Sequence, residues 1–248
     1  MRAFLAVLLL VGVVGGALAV DSRAAVDAFL ARLGSVSVTS LVVDQTLTFY
    51  DPAGRQPKST GEQRLYLKLP RRQRIERTVD GQREVQLSVD NRVWVRSADG
   101  RTYEAAPPAQ RRDRTHLLVP FRRSGADLLA EWAALGVSAD VSYETQAAGR
   151  TVTVIGAKPG ERNVPQVWLD ADRGVVRFVA RERLPKGESI VDLTFSEHRP
   201  LVGGFVFPYR QEAFVDGKLV VLITVRSAAA NTNPDDALFD PEALKRAR

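Results

Sequence analysis

Few side chains in this sequence could carry catalytic or metal-binding chemistry. The chain contains no Cys and only two His, His116 and His198, which lie far apart in the sequence. Zinc, haem and iron–sulfur sites are built largely from Cys and His, so the sequence offers almost no ligands for them. The missing Cys also excludes a thiol nucleophile and a disulfide framework. We therefore predict a protein without a metal site.

The motifs of the common enzyme classes are also absent from the sequence. No G-x-S-x-G, H-E-x-x-H, P-loop or G-x-G-x-x-G pattern occurs in the 248 residues. The acidic pair Asp235-Asp236 fits a turn or the start of a helix better than an acid and base pair. We expect a protein that is not an enzyme and that uses no cofactor.

The N-terminus has the pattern of a secretory leader. Met1-Arg2 is a short positive start, residues 3–16 are nearly all apolar, and Ala17-Leu18-Ala19 supplies small residues for cleavage. We predict a signal peptide over residues 1–19, cleaved after Ala19, and a periplasmic mature domain over residues 20–248. An uncleaved membrane anchor is the alternative, because the apolar run approaches the length that spans a bilayer.

The chain is basic, with a formal net charge of +6. Arginine clusters occur at residues 71–74, 111–114 and 122–123. Such clusters can bind nucleic acid, but the predicted export argues against a nucleic-acid partner. The arginine clusters then either lie on solvated loops and strand ends without a specific role, or attract anionic lipid head groups or an acidic partner.

Two amphipathic helices are predicted in the mature chain, over residues 22–33 and 124–135. Ser124 starts the second helix with the pattern of a capping box, and Gly34 and Gly136 follow the two helices. Both segments place apolar residues at i, i+3, i+4 and i+7 spacing, which forms one stripe per helix. The stripes are Val26, Phe29, Leu30 and Leu33 in the first helix and Leu128, Leu129, Trp132 and Leu135 in the second.

Most of the remaining chain alternates apolar and polar residues, which is typical of half-buried strands. Turn signals such as Asp80-Gly81 and Asp216-Gly217 separate the alternating segments. These short intervals suit hairpins and are too short for helical crossovers. We therefore predict one domain built on a mostly antiparallel meander of about ten or eleven strands.

Such a sheet has to cover its apolar face. Two helices of about twelve residues span roughly 18 Å each, which is too little to cover ten strands. The sheet can curl into a barrel or half-barrel with the helices at its mouth, and its apolar lining then forms a cavity suited to acyl chains. Alternation alone does not distinguish such a cavity from a filled core, so plain core packing is the alternative.

Several segments resemble those of a known family. They are Gly61–Pro70, which contains Leu-Tyr-Leu-Lys-Leu-Pro, the arginine-containing strand 72–76, the hairpin segment Val89–Val95 and the C-terminal stretch Asn231–Phe239. In this order, after a leader and an amphipathic helix, they resemble the LolA-type outer-membrane lipoprotein carrier family. The resemblance implies a mainly β (α+β) fold, in which a single curved antiparallel sheet forms an incomplete β-barrel with a helical lid.

The same resemblance implies a monomeric periplasmic carrier, or chaperone, that shelters the acyl chains of lipoproteins or lipids during transfer toward the outer membrane. Its partners would be an inner-membrane export complex and an outer-membrane acceptor. An envelope sensor or assembly module with the same fold and no transport role is the alternative. Two positions depart from the family pattern: Leu69 replaces an Arg linked to lid closure, and Asn91 replaces a hairpin Gly.

The predicted lipid-binding surface combines one face of the first strands with the second helix. Its residues are Leu41, Val43, Leu47, Phe49, Leu65, Leu67, Leu69, Val85, Leu87, Val89, Val93, Val95, Leu128, Leu129 and Trp132. A one-residue slip exchanges the two faces of a strand, and it would place Tyr50, Tyr66 and Trp94 inside instead.

Overall fold

A computed structural model describes residues 20–33, 36–90, 92–105, 115–121, 123–185 and 187–246. The predicted signal peptide, residues 1–19, lies outside the described residues. Within the described ranges, no helix is both long enough and apolar enough to cross a membrane.

Thirteen antiparallel strands form one curved, unclosed sheet, which confirms the predicted mainly β fold. The strands are β1 Ser40–Tyr50, β2 Pro57–Lys68, β3 Arg72–Val79, β4 Gln82–Val89, β5 Arg92–Arg96, β6 Thr102–Ala105, β7 Ser142–Ala147, β8 Arg150–Ile155, β9 Gln166–Asp170, β10 Gly174–Leu184, β11 Gly187–Val202, β12 Phe205–Val215 and β13 Lys218–Ala230. The count exceeds the ten or eleven expected because the short edge strands β6 and β7 are polar and lack the alternating pattern.

The strand order places the start and the end of the sheet side by side. β1 pairs with β13 in the middle, and from there β2 to β6 and β12 to β7 extend toward opposite edges. The chain segment between β6 and β7 therefore connects the two free edges of the sheet. This segment contains the short helix α2, Thr115–Leu118, and the longer helix α3, Gly125–Ala134.

Both predicted helices are confirmed. Helix α1 spans Ser22–Leu33, as the apolar stripe indicated. At the start of α3, the Ser124 hydroxyl accepts the backbone N–H of Asp127 at 3.2 Å, and the Ser124 N–H donates to the Asp127 carboxylate at 2.8 Å. This capping box satisfies donors that the first turn of a helix leaves free. Gly136 follows the helix with a φ of 91°, a conformation that Gly adopts at little cost.

The lengths of the hairpin turns decide which residues share a face of the sheet. We call the face that carries Leu41 the inner face and the opposite one the outer face. Strand β2 places Leu67 opposite Leu41, so both lie on the inner face. The Asp80-Gly81 turn has two residues, and it pairs Arg74 of β3 with Leu87 of β4. Because Arg74 lies opposite Tyr66, Leu87 lies on the outer face with Tyr66.

The prediction that all the strand residues of the lipid-binding surface share one face of the sheet is therefore wrong for strand β4. Val85, Leu87 and Val89 lie on the outer face, and the sequence pattern missed this because alternation specifies faces only within one strand. Strand β5 pairs Trp94 with Leu87, so Trp94 lies on the outer face and its neighbours Val93 and Val95 lie on the inner face.

The C-terminal segment covers the apolar patch on the outer face. A 3-10 turn, Asp236–Phe239, and helix α4, Pro241–Arg246, follow the last strand. Their Phe239 and Leu244 pack with Val85, Leu87 and Trp94 in a small buried cluster. This packing removes from water the apolar side chains that β4 and β5 direct outward.

The main core lies between the inner face and the two longer helices. Helices α1 and α3 contact each other and contribute Val26, Phe29, Leu128 and Trp132 to the same buried cluster as the sheet. On the sheet side, the fully buried members of this cluster include Leu41, Val43, Phe178 and Phe207. The helices therefore form a lid that is closed onto the inner face.

Candidate functional site

The closed lid leaves a narrow apolar cleft at its edge. It is lined by both longer helices, by α2 and the residues after it, by strands β10 and β12, and by the turn before β10. The lining residues are Phe29, Leu33, Leu117, Leu118, Pro120, Leu128, Trp132, Asp172, Arg173, Gly174, Val175, Phe205 and Val206. The cleft has a volume of about 10 Å³, which is the room of a single water molecule. An acyl chain fits there only if the lid moves.

The predicted site residues divide into three groups by their surroundings. In the main core, Leu41, Val43, Leu67, Leu128 and Trp132 are buried, and Leu65, Leu69 and Leu129 pack against them while partly exposed. On the inner face away from this core lie Leu47, Phe49, Val93 and Val95. On the outer face lie Val85, Leu87 and Val89. The alternative that placed Tyr66 and Trp94 inside is wrong, because both lie on the outer face.

The sequence prediction omitted several residues of the cleft. Phe29 and Leu33 were recognised as the stripe of α1 but were not assigned to the site, although the same stripe faces the cleft. The aromatic side chains of β12 were also omitted. Phe205 packs edge-on against Phe121, with ring centroids 4.9 Å apart, and joins the wall of the cleft to the segment before α3. The alternation of apolar and polar residues along β12 is the sequence signal that could have identified these aromatic side chains.

A charged network fixes the turn at the rim of the cleft. The buried Asp170 carboxylate accepts the backbone N–H groups of Asp172 and Arg173 at 2.8 and 3.0 Å, and it pairs with the Arg150 guanidinium. Burial opposes ionisation of Asp170, but the Arg150 hydrogen bond and these backbone donors outweigh it and hold the pKa of Asp170 below its usual value. The rim turn is therefore held in place by a carboxylate that stays ionised at neutral pH.

The lid is attached to this rim by a weak ionic contact. Arg32, in the last turn of α1, pairs with Asp172, which also pairs with Arg150 at 2.6 Å. Hydrogen bonds from Arg150 and Arg32 lower the pKa of Asp172. More than half of the Arg32 and Asp172 side chains is exposed. An exposed pair of this kind contributes only about 0–1 kcal/mol, so it does little to prevent lid opening.

Gly174 allows the lid to approach the rim closely. Its φ is 80°, and a Cβ at this position would lie 3.0 Å from the ring of Phe29 on α1. A side chain here would both strain the backbone and press against the lid.

Gly174→Ala is expected to reduce the free energy of unfolding by about 1 kcal/mol or more. The added methyl group strains the backbone at a positive φ and also presses against the Phe29 ring. Urea unfolding measures the change. The matched control is Gly81→Ala, whose φ is 76° and whose Cβ would meet no atom within 4 Å. If both variants lose the same stability, the Phe29 contact has no energetic importance.

The inner face continues beyond the lid as a half-buried apolar strip. Phe49 of β1 lies opposite Val221 of β13, which lies opposite Ala213 of β12, which in turn lies opposite Leu193 of β11. All four side chains are only partly buried. A row across four strands extends roughly 14 Å at the usual strand spacing. This strip, Phe49 to Leu193, is an apolar surface that the lid helices leave partly open.

The described residues contain no group of three or more His, Asp or Glu side chains that could hold a metal ion. The chemistry that the described surfaces offer is apolar contact, flanked at the rim by charged groups.

No family model and no curated protein matches the sequence. Solved structures match its fold. One is a domain assigned to outer-membrane lipoprotein sorting from Vibrio parahaemolyticus, with a TM-score of 0.58, 14% identity, and 90% of this chain and 98% of that chain covered. Another is a LolA superfamily protein from Nitrosomonas europaea, with a TM-score of 0.53, 10% identity and coverage of 90% and 99%.

The fold is LolA-like. A DUF1329 family protein from Desulfovibrio piger has the same architecture, with a TM-score of 0.57, 14% identity and coverage of 90% and 99%. The LolA-like architecture thus covers 90% of the chain in each of these comparisons.

Proposed function

We propose that this protein is a periplasmic carrier that shelters the acyl chains of lipoproteins or lipids on the inner face of its half-barrel during transfer toward the outer membrane. The LolA-like fold supports this proposal, as does the lipoprotein-sorting assignment of one of its structural neighbours. The N-terminal leader pattern supports export to the periplasm. An inner-membrane export complex as donor, an outer-membrane acceptor and a monomeric carrier without enzymatic activity complete the proposal.

The observation that carries the proposal is the apolar strip from Phe49 to Leu193. The strip lies on the same face as the core under the lid, and it remains partly open to solvent. Each CH₂ group of an acyl chain that leaves water contributes about 0.8 kcal/mol. Contact along the strip therefore stabilises a bound chain without specific polar groups, and movement of the lid adds the surface beneath it.

The test is to recover the full chain from membranes and search for bound lipid by native mass spectrometry. A fluorescent sixteen-carbon fatty acid then measures affinity for acyl chains. We expect co-purified lipid and saturable binding of the probe. Protein that is free of lipid, does not bind the probe and crosslinks to one stable protein partner would contradict the carrier and support the sensor or assembly alternative.

Two neighbouring residues of β13 provide a matched pair for this measurement. Val221 lies opposite Phe49 on the inner face, and Leu222 lies opposite Thr48 on the outer face; both are half-buried. Val221→Asn is expected to weaken probe binding about tenfold, because it places a polar group in the strip. Leu222→Asn is expected to leave the affinity unchanged. Equal affinities of the two variants would show that the chain binds elsewhere.

A further inference from the structure

Trp132 carries a buried hydrogen-bond donor without an acceptor. Its side chain is 1% exposed and lines the cleft under the lid, and its indole Nε1–H has no hydrogen-bond partner among the residues that the structure describes. Such a donor normally finds an acceptor, because an unpaired buried polar group is costly. The indole of Trp168 shows the usual arrangement, since it donates to the Gln166 side chain at 2.7 Å.

One ordered water is a poor acceptor for this N–H. The cleft has room for about one water, but a buried water usually makes two to four hydrogen bonds. The side chains around Trp132 in the cleft are Phe29, Leu128, Phe205 and other apolar groups, and they offer no further hydrogen bonds. The charged groups that line the cleft, Asp172 and Arg173, belong to the rim turn.

At the rim, Arg173 is a cation with no ionic partner among the described residues. Its backbone is fixed by Asp170, its side chain is exposed, and it forms no salt bridge with any residue in the described part of the chain. The neighbouring Asp172 is already paired with Arg32 and Arg150. The cleft therefore combines apolar walls, one unused internal donor and one unused positive charge at its mouth.

We propose that this cleft binds the carbonyl end of an acyl chain, an inference that rests on the proposed carrier function. The hydrocarbon lies between the lid helices and the sheet after the lid moves outward. The carbonyl oxygen accepts a hydrogen bond from Trp132 Nε1. An anionic group at the chain end, such as a free carboxylate, pairs with Arg173; an ester-linked chain uses Trp132 alone.

The experiment compares three ligands that share a ten-carbon chain, using the full-length protein. Decanoic acid, methyl decanoate and decane compete with the fluorescent fatty acid for the wild type, Trp132→Phe and Trp168→Phe. Trp132→Phe keeps an aromatic ring and removes the N–H. It is expected to lose about fivefold in affinity for decanoic acid and methyl decanoate, with decane unchanged, which is the usual effect of one hydrogen bond. Trp168→Phe is expected to change none of the three.

Arg173→Gln distinguishes a free fatty acid, which has a carboxylate, from an ester-linked acyl chain, which has none. It is expected to weaken decanoic acid about fivefold and to leave methyl decanoate and decane unchanged. The control is Arg162→Gln, an exposed arginine that does not line the cleft. Equal losses for all three ligands in Trp132→Phe would overturn the assignment of the indole donor while leaving the carrier intact. A wild type that binds none of the ligands would overturn both proposals.

A spectroscopic measurement on the wild type covers the case in which Trp132→Phe does not fold. Methyl decanoate is added to ¹⁵N-labelled protein, and the three indole N–H signals are assigned with Trp94→Phe and Trp168→Phe. A downfield shift of the Trp132 signal, with the Trp168 signal unmoved, is expected for a new hydrogen bond. An unchanged Trp132 signal at saturating ligand contradicts the proposal.

Discussion

Replacing Phe178 by Ala is expected to lower the free energy of unfolding by about 3–5 kcal/mol, the usual cost of deleting a buried aromatic side chain. Phe178 is completely buried in the core under the lid. Urea unfolding followed by circular dichroism measures the loss. A loss below about 1 kcal/mol would mean that the core under the lid is loosely packed, or that solvent readily fills the space left by the deleted ring.

Phe49→Ala is the matched control for this variant. Phe49 is on the same face of the sheet but is only partly buried and lies outside the core cluster. We expect it to change stability by about 1 kcal/mol or less and to weaken binding of the fluorescent fatty acid. The pair therefore separates residues that hold the lid and sheet together from residues that contact a chain. Similar effects of both variants on stability would remove this distinction.

Lowering the pH from 7 to 5 is expected to reduce the stability of the protein, in part through His198. Both ring nitrogens of His198 are buried and have no hydrogen-bond partner in the described part of the chain. Burial lowers the pKa of His198 from 6.5 to about 4, nearby Arg173 and Arg150 add to the shift, and Asp170 opposes it. At a pH between about 4 and 6.5, the His198 ring binds a proton in the unfolded chain but stays neutral in the folded chain. The stability that His198 contributes is thus present above pH 6.5 and is lost as the pH falls toward 4.

The expected contribution of His198 is about 1–2 kcal/mol between pH 7 and pH 5, allowing for the solvent that reaches part of the side chain. His198→Phe keeps a ring in the site and removes the titration. The free energies of unfolding of both proteins, measured by urea titration at pH 7, 6 and 5, test the effect. The variant should lose less stability than the wild type. Parallel curves for the two proteins would show that His198 takes up its proton over the same pH range in the folded and unfolded chains.

Local signals were sufficient to predict the two longer helices, α1 and α3, but not the short helices α2 and α4. The capping box of Ser124 and Asp127, the apolar stripe and the following Gly136 all act within a few residues, so sequence spacing determines them. The same holds for α1, whose observed bounds match those expected from its stripe.

The faces of the strands could not be predicted in the same way. Alternation shows that Val85, Leu87 and Val89 share a face, but the relation of that face to β2 depends on the register across two turns. The outer apolar patch is stable only because Phe239 and Leu244 cover it from a segment about 150 residues later in the sequence. Long-range packing of this kind leaves no local signal.

The candidate site could be predicted only in part, because periodicity assigns residues to a face within one element and not across elements. Leu41, Val43, Leu128 and Trp132 lie together because periodicity places each on the apolar side of its own element. The rim turn at Asp172 and Arg173 was recognised as a turn, but its position against α1 results from tertiary packing. Likewise, no sequence pattern indicates that the Trp132 indole lacks an acceptor while the Trp168 indole has one.

The position of the lid between the two free edges has a mechanical consequence. Residues 106–141 are the covalent tether from β6 at one edge to β7 at the other, while β1 and β13 form a seam opposite. The span of the opening is therefore limited by the contour length of this tether. Any change in the separation of the two edges therefore acts on helix α3, because this helix lies within the one covalent connection between β6 and β7.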